Sequence, residues 1–139
     1  MDNAVETYVN AVRSKVRQRD AETMIELMRR ATSQPPRMWG SIVGFGEYHY
    51  RYASGREGTA PAAGFAARQA ATVVYLSDGV GAHTDLLARL GPHAARVGCI
   101  HVKDLSTVDL KALEEIVAKS YANLTSGTYT KRAHEGGAS

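Results

Sequence analysis

The sequence is poor in residues that cross-link or interrupt a chain. It has one cysteine, Cys99, and four prolines among 139 residues. A single cysteine cannot form an intramolecular disulfide, so packing must hold the fold, and we expect a reducing, cytoplasmic location. No run approaches the roughly 18 apolar residues of a membrane-spanning helix. The N-terminal stretch is polar, so we expect neither a signal peptide nor a membrane anchor.

A strong excess of one charge is also missing. The 17 Lys and Arg residues are interleaved with 14 Asp and Glu residues, for a net charge of +3. This balance does not predict nucleic-acid binding. The loop Gly55–Gly58 lacks the Lys-Ser/Thr pair of a phosphate-binding loop. What remains is 44% hydrophobic and 22% charged residues, which is ordinary for a single globular domain.

Hydrophobic periodicity predicts the order helix, helix, four strands, short helix, strand, helix. Asp20 is the predicted cap of the second helix, which must end before Pro35-Pro36. Strands that are neighbours in sequence pair by hairpins, so the predicted class is α+β. We expect a small antiparallel sheet of about five strands with helices packed on one face. Residues 1–123 form the predicted domain, and 124–139 a polar, flexible tail.

The segment from Arg37 to Gly58 predicts a loop, then a tight β-hairpin with its turn at Gly46-Glu47, then a glycine-bounded loop. After that turn, tyrosines alternate with polar residues, so Tyr48, Tyr50 and Tyr52 share one face, opposite His49 and Arg51. Two interpretations stay open. Either the tyrosines pack under helices while His49 and Arg51 are solvated, or one of the two faces lines a ligand or partner surface.

The second half of the chain has clearer boundaries. We predict a loop over Ser54–Pro61, then strands over Ala62–Arg68 and Ala71–Ser77. Thr84 is the predicted cap of a short helix that runs through Leu90 and ends at Gly91-Pro92. Cys99–Val102 is the last predicted strand. The closing helix begins after Asp109 and has a predicted buried stripe: Leu110, Leu113, Ile116, Val117 and Tyr121.

Cationic and aromatic side chains suggest a ligand site. If the strands align as predicted, four cations converge into a pocket for a carboxylate or phosphate: Arg51, Arg56, Arg68 and Lys103. The alternative is that these side chains are solvated charges on strand edges and loops. The aromatic candidates for the same surface are Trp39, Tyr48, Tyr50 and Tyr52.

Two short pairs are candidate metal ligands. Glu47 lies beside His49 on the predicted hairpin, and Cys99 and His101 are two apart on a predicted strand, so their side chains share a face. A closed metal site needs about four ligands, and the sequence has no Cys-x-x-Cys motif. A buried thiol with a solvated histidine is therefore the simpler interpretation. Cys99 as a nucleophile, with His93 or His101 as base, lacks an evident orienting acid.

Several stretches together resemble the YdhG-like family, also called domain of unknown function 1801. They are MWGSIVGFGEYHYRYASGREG, GFAARQAATVVYL, LLARLGPH, GCIHVKDL and VDLKALEEIVAKSYA, and they cover about residues 30–122. The resemblance implies a small α+β fold similar to frataxin. It also implies iron as a candidate cofactor, because one bacterial branch is described as an intracellular iron chaperone for iron–sulfur and haem assembly.

The functional expectation is a non-enzymatic binding or delivery protein, linked to iron by the resemblance. Its partners would then be iron–sulfur or haem assembly proteins. The alternative is a module that binds a small anion, or catalyses a reaction, through the tyrosine and arginine hairpin. We also expect that the open sheet face or an edge strand could support a homo-oligomer.

Overall fold

The computed structural model describes residues 3–130, which form four α-helices and a six-stranded antiparallel sheet. The elements in chain order are α1 (Asn3–Asn10), α2 (Lys15–Thr32), β1 (Pro36–Trp39), β2 (Ile42–Arg51), β3 (Glu57–Ala67), β4 (Thr72–Tyr75), α3 (Thr84–Leu90), β5 (Ala94–Ala95), β6 (Cys99–Val102) and α4 (Leu110–Thr125). The strand order across the sheet is β1-β2-β3-β4-β6-β5. The predicted α+β class is confirmed, and the likeness to frataxin stays a prediction.

The core lies between the sheet and the two long helices. Helices α2 and α4 pack against each other and against β2 and β3. Helix α2, helix α4 and the sheet all supply large, fully buried side chains to this core: Met24, Leu27, Phe45, Phe65, Leu113 and Ile116. The predicted closing helix is confirmed, except that Leu110 is 38% exposed because it lies at the first position of α4, before the buried stripe begins.

Helix α2 begins earlier than the sequence indicated. The Ser14 hydroxyl accepts a hydrogen bond from the Arg17 amide, so Ser14 is the cap and the prediction for Asp20 is wrong. Asp20 is fully buried inside the helix, where its carboxylate pairs with Arg19 and accepts the Leu105 amide at 3.0 Å. Asp20 therefore connects α2 to the segment around Leu105, a tertiary contact that the local sequence does not reveal.

The turn of the first hairpin also lies elsewhere than predicted. Strands β1 and β2 pair from Trp39↔Ile42 to Pro36↔Phe45, so the turn is at Gly40-Ser41. Gly46 instead lies inside β2 with φ +66°, a conformation that favours glycine. The in-and-out alternation shifts there: Phe45 and Tyr48 are both buried while Glu47 is exposed. Gly46 was predicted to form a turn, but it instead marks the point in β2 where the alternation of buried and exposed side chains shifts by one residue.

Two further strand predictions need correction. Strand β3 begins at Glu57, so most of the predicted Ser54–Pro61 loop is strand, paired with the second half of β2. The short strand β5 was not predicted, and β1 was expected to be a loop. The two strands of the predicted Gly46-Glu47 hairpin are one continuous strand, β2, so four of the five predicted strands remain. The two edge strands bring the total to six.

The beginning of the predicted tail is part of the fold. Helix α4 continues to Thr125, and the chain then turns back along β2. The Tyr129 amide donates to the His49 carbonyl at 2.8 Å, and the Arg51 amide donates to the Tyr129 carbonyl at 2.9 Å. The rest of the predicted tail, residues 131–139, lies outside the described residues. Over residues 3–130, no helix is both long and apolar enough to cross a lipid bilayer.

Candidate functional site

A cavity of about 680 Å³ lies at the β5–β6 side of the sheet. Three segments enclose it: the β3–β4 turn, the residues after α3, and the connection from β6 to α4. We call it the edge cavity. Its side chains with hydrogen-bonding or charged groups are His93, Arg96, His101, Lys103, Asp104 and Thr107.

The short β5–β6 ladder explains why these side chains line one cavity. Ala94 pairs with His101 in antiparallel register. Residues two apart on a strand project to the same side, so Arg96 follows Ala94 and Lys103 follows His101 into the same space. This is the sheet face opposite α2 and α4, because the neighbouring residue Ile100 is fully buried in the core.

The edge cavity carries positive charge that nothing in the described part of the chain neutralises. The side chains of Arg96 and Lys103 have no ion pair or hydrogen bond within residues 3–130. The one acid on the wall is Asp104. Its carboxylate accepts a hydrogen bond from the Ser106 hydroxyl and lies 2.6 Å from the Arg19 guanidinium. Hydrogen bonds from Ser106, together with Arg19, hold the pKa of Asp104 below its usual value. The local balance therefore favours an anion.

The two histidines of the edge cavity are held differently. The Nδ1 of His93 lies 2.7 Å from the Gly91 carbonyl. A carbonyl only accepts, so Nδ1 carries the hydrogen and Nε2 is left available to a ligand. The Nε2 of His101 lies 3.7 Å from the Cys99 sulfur.

Burial raises the pKa of the Cys99 thiol, and the charge of Arg96 lowers it by a smaller amount. A protonated thiol is a poor nucleophile, which argues against catalysis by Cys99.

The tyrosines of β2 form a packed cluster. Tyr48 is buried, and its ring centroid lies 6.0 Å from that of Tyr50 and 6.0 Å from that of Tyr129. The Tyr50 and Tyr52 rings stack at 4.9 Å. On the opposite face His49 and Arg51 are exposed. This arrangement agrees with the first of the two interpretations, in which the tyrosines pack and the polar residues are solvated.

The four candidate cations do not converge. Arg51 pairs with Glu57 at one end of the β2–β3 ribbon, and Arg56 lies in the adjoining loop. Arg68 lies just beyond the other end of β3, where it donates to Ser41 and Tyr75. Ten strand residues separate the two ends by about 30 Å. Lys103 lies near the Arg68 end, in the edge cavity.

The candidate metal ligands also lie in two separate places. His49 is near Glu57, at 3.8 Å, on the exposed face of β2, and Glu47 is exposed on the same strand. Cys99 and His101 lie on β6, two strands away from β3. Within residues 3–130, no group of three or more His, Cys, Asp or Glu side chains is arranged to hold a metal ion.

Trp39 lies apart from the tyrosine cluster, near the end of β1. The Arg37 guanidinium is 4.5 Å from the centroid of its ring. A separate cavity of about 350 Å³ is lined by both residues and by Tyr121 of α4. The expected common surface of Trp39 and the β2 tyrosines is therefore two distinct regions.

The sequence reasoning missed a buried polar cluster and one cation. Asp78, His83 and Ser120 are each at most 2% exposed, and both carboxylate oxygens of Asp78 are used. Those residues come from a turn, a 3₁₀ segment and α4, so no local spacing connects them. Arg96 could have been found, because it alternates with Ala94 before the strand containing Cys99 and His101.

Comparisons with protein-family models, with curated proteins and with solved structures found no match to this chain.

Proposed function

We propose that this chain is a non-catalytic binding protein for a small organic carboxylate or phosphate ester, held in the edge cavity. The observation that carries the proposal is the pair of unpaired cations, Arg96 and Lys103, on the wall of one cavity. Small-anion binding was the alternative function expected from the sequence, but the residues proposed to bind the anion are different. Arg51, Arg56 and Arg68 have no part in it.

The chemistry of the wall suits this ligand class. Arginine binds carboxylates and phosphates through two parallel N–H groups, and lysine adds a mobile point charge. The free Nε2 of His93 can accept a hydrogen bond from a ligand hydroxyl. The apolar part of the wall includes Ala71 and Pro92. A volume of about 680 Å³ is typical of pockets for small molecules, about 300–1,000 Å³.

Calorimetric titration with inorganic phosphate and with citrate tests the proposal. Both probes should bind, and both should raise the melting temperature. Ligand at about 100 times its Kd stabilises a protein by about 2.7 kcal/mol. For a chain of this size that corresponds to a shift of about 5–10 °C.

Variants then locate the site. The double variant Arg96→Ala/Lys103→Ala should lose binding, because both charges that face the ligand are removed. The matched control is Arg13→Ala/Lys15→Ala, which removes the same charge from two exposed residues outside the edge cavity. If both double variants bind like the parent, or both lose binding equally, the edge cavity is not the anion site.

A second candidate function is the iron-linked delivery implied by the resemblance to the YdhG-like family. The observation that bears on it is the Cys99–His101 pair, with sulfur and nitrogen 3.7 Å apart beside the edge cavity. Such a pair is suited to ferrous iron or zinc. Anaerobic titration with Fe(II) should then show micromolar binding that Cys99→Ser removes while phosphate binding persists. Absence of Fe(II) binding would end this candidate.

The single free thiol also bears on the cellular location, because disulfides are rare in the reducing cytoplasm. We propose a cytoplasmic location, because the single cysteine forms no disulfide within the chain. Cell fractionation with an antibody to the chain tests this, and recovery from an extracytoplasmic fraction would contradict it.

A further inference from the structure

The cavity beside Trp39 is a second site with different chemistry. It has a volume of about 350 Å³ and lies between the start of β1, the middle of β2 and the C-terminal half of α4. We call it the aromatic cavity. Trp39 and Tyr121 supply its aromatic walls, while Arg37 and Glu47 supply one charge of each sign.

Two glycines of β2 set the positions of the aromatic walls. A Cβ atom on Gly44 would lie 2.5 Å from Cδ1 of Trp39, so the indole lies directly on bare backbone. A Cβ atom on Gly46 would lie 2.9 Å from Cε1 of Tyr121. Any side chain at either position would displace a wall. The two rings are therefore held by close contact with the strand, and the space between them is preserved.

Arg37 is positioned by one of these walls. Its guanidinium stacks on the Trp39 ring, with 4.5 Å between the guanidinium carbon and the ring centroid. Stacking uses the flat face of the guanidinium, and the N–H groups in its plane remain free to donate to a carboxylate. The side chain is thus held in place without its hydrogen-bonding capacity being used.

Glu47 supplies the opposite charge on the same cavity. Its side chain is exposed and has no ion pair or hydrogen bond within the described part of the chain. Arg37 and Glu47 therefore line one cavity without pairing with each other. Two opposite charges that do not pair with each other, both on a cavity wall with aromatic side chains, are complementary to a molecule that carries both charges itself.

We propose that the aromatic cavity binds a small zwitterion of the amino-acid class. The ligand carboxylate is bound by Arg37, its ammonium group by Glu47, and its apolar part lies between Trp39 and Tyr121. The small volume favours a single amino acid over a peptide, since about 350 Å³ is near the lower end for ligand pockets. This site is independent of the anion site in the edge cavity.

Trp39 is the one tryptophan of the chain, so tryptophan fluorescence reports on the surroundings of this wall of the cavity. The probes are two zwitterions, L-leucine and 4-aminobutyrate, and two half-ligands. 4-Methylpentanoate lacks the ammonium group, and 3-methylbutylamine lacks the carboxylate. At least one zwitterion should change the Trp39 emission saturably. It should bind at least about tenfold more tightly than either half-ligand, the factor that one hydrogen bond to a charged group supplies.

Variants separate the two charges. Arg37→Lys keeps the charge but not the stacked, planar donor, and should weaken zwitterion binding about tenfold. Glu47→Gln should do the same through loss of the ammonium partner. The matched controls Arg13→Lys and Glu22→Gln change exposed residues outside the cavity and should leave the affinity unchanged.

Three outcomes would overturn the proposal. One is the absence of a saturable emission change with both zwitterions up to about 10 mM, where a site with a Kd of about 1 mM is mostly occupied. Another is equal affinity for zwitterions and half-ligands. The third is unchanged affinity in both Arg37→Lys and Glu47→Gln. Arg96→Ala/Lys103→Ala should leave the zwitterion affinity unchanged, and an equal loss there would overturn the independence of the two sites.

Discussion

Replacing Asp78 by alanine should lower the free energy of unfolding by about 3–5 kcal/mol. Asp78 is 1% exposed, and its carboxylate is the common acceptor of a buried polar cluster. Ser120 donates to one oxygen at 2.5 Å. His83 and Asn123 bond the other oxygen at 2.8 and 3.0 Å. One substitution therefore removes the partner of three donors.

The magnitude follows from what happens to each donor. Asn123 is exposed and can turn to water, so its loss is small. Ser120 and His83 stay buried without a partner, at about 1–3 kcal/mol each. Nδ1 of His83 already has no partner in the described structure, so the ring cannot recover its bond by using the other nitrogen. The sum lies near the range measured for broken buried pairs, about 3–5 kcal/mol.

Urea unfolding with linear extrapolation measures the effect, and a thermal scan should show a loss of about 10–20 °C. The control is Asp85→Ala, which removes an exposed carboxylate from the first turn of α3 and should cost less than about 1 kcal/mol. If Asp78→Ala is as stable as Asp85→Ala, the cluster does not support the fold and the reasoning fails.

The same carboxylate should make stability depend on acid. Burial alone would raise the pKa of Asp78, but the hydrogen bonds from His83, Ser120 and Asn123 outweigh burial and lower it. A carboxylate with a lowered folded-state pKa stabilises the fold above its unfolded pKa and loses that contribution as the pH falls through the folded value. Stability should therefore decrease below about pH 4. This decrease should be smaller in Asp78→Asn, and an identical acid profile in both proteins would contradict the assignment.

Two further predictions concern the tyrosine cluster and a glycine of β2. Burial, with the charge of Asp78, raises the pKa of Tyr129 to about 12, so the unfolded chain ionises first and stability should fall above about pH 10. Unfolding curves at pH 9 and 11 should show a smaller fall in Tyr129→Phe, and an equal fall would contradict the partial burial of this ring. Gly44→Ala should cost about 1–3 kcal/mol and change the Trp39 emission, because the new methyl group would meet the indole at 2.5 Å. Unchanged stability and emission would show that the indole is not seated on Gly44.

The parts of the fold that sequence predicted well are those set by local patterns. The strand Cys99–Val102 was predicted with the bounds that the structure has. The short helix was predicted with its correct end at Leu90, although Thr84 is its first residue and not its cap. Apolar periodicity and the Gly91-Pro92 stop act within a few residues, so no distant contact is needed to read them. The alternation of Tyr48 and Tyr50 with His49 similarly predicted that the two tyrosines share a face opposite His49. In the structure Tyr48 is buried, Tyr50 is partly buried and His49 is exposed.

The errors arose where distant contacts overrule a local signal. Asp20 resembles a helix cap, yet the Leu105 amide, 85 residues away, holds it inside α2. Gly46 resembles a turn residue, yet pairing with β3 on one side carries the strand past it. Residues after Asn123 are small and polar, yet Tyr129 forms two backbone hydrogen bonds to β2.

The sequence by itself determined the class of this protein, an α+β chain without disulfides, because composition and hydrophobic period act locally. It also placed Lys103, His101 and Trp39 among the candidates for binding. Only the tertiary structure decided which candidates meet. Strand register separates Arg51 from Arg68 by about the length of a ten-residue strand, whereas the β5–β6 ladder places Arg96 and Lys103 on the wall of one cavity. Charges form a site only when the chain closes around them, and that closure depends on pairings between segments distant in sequence.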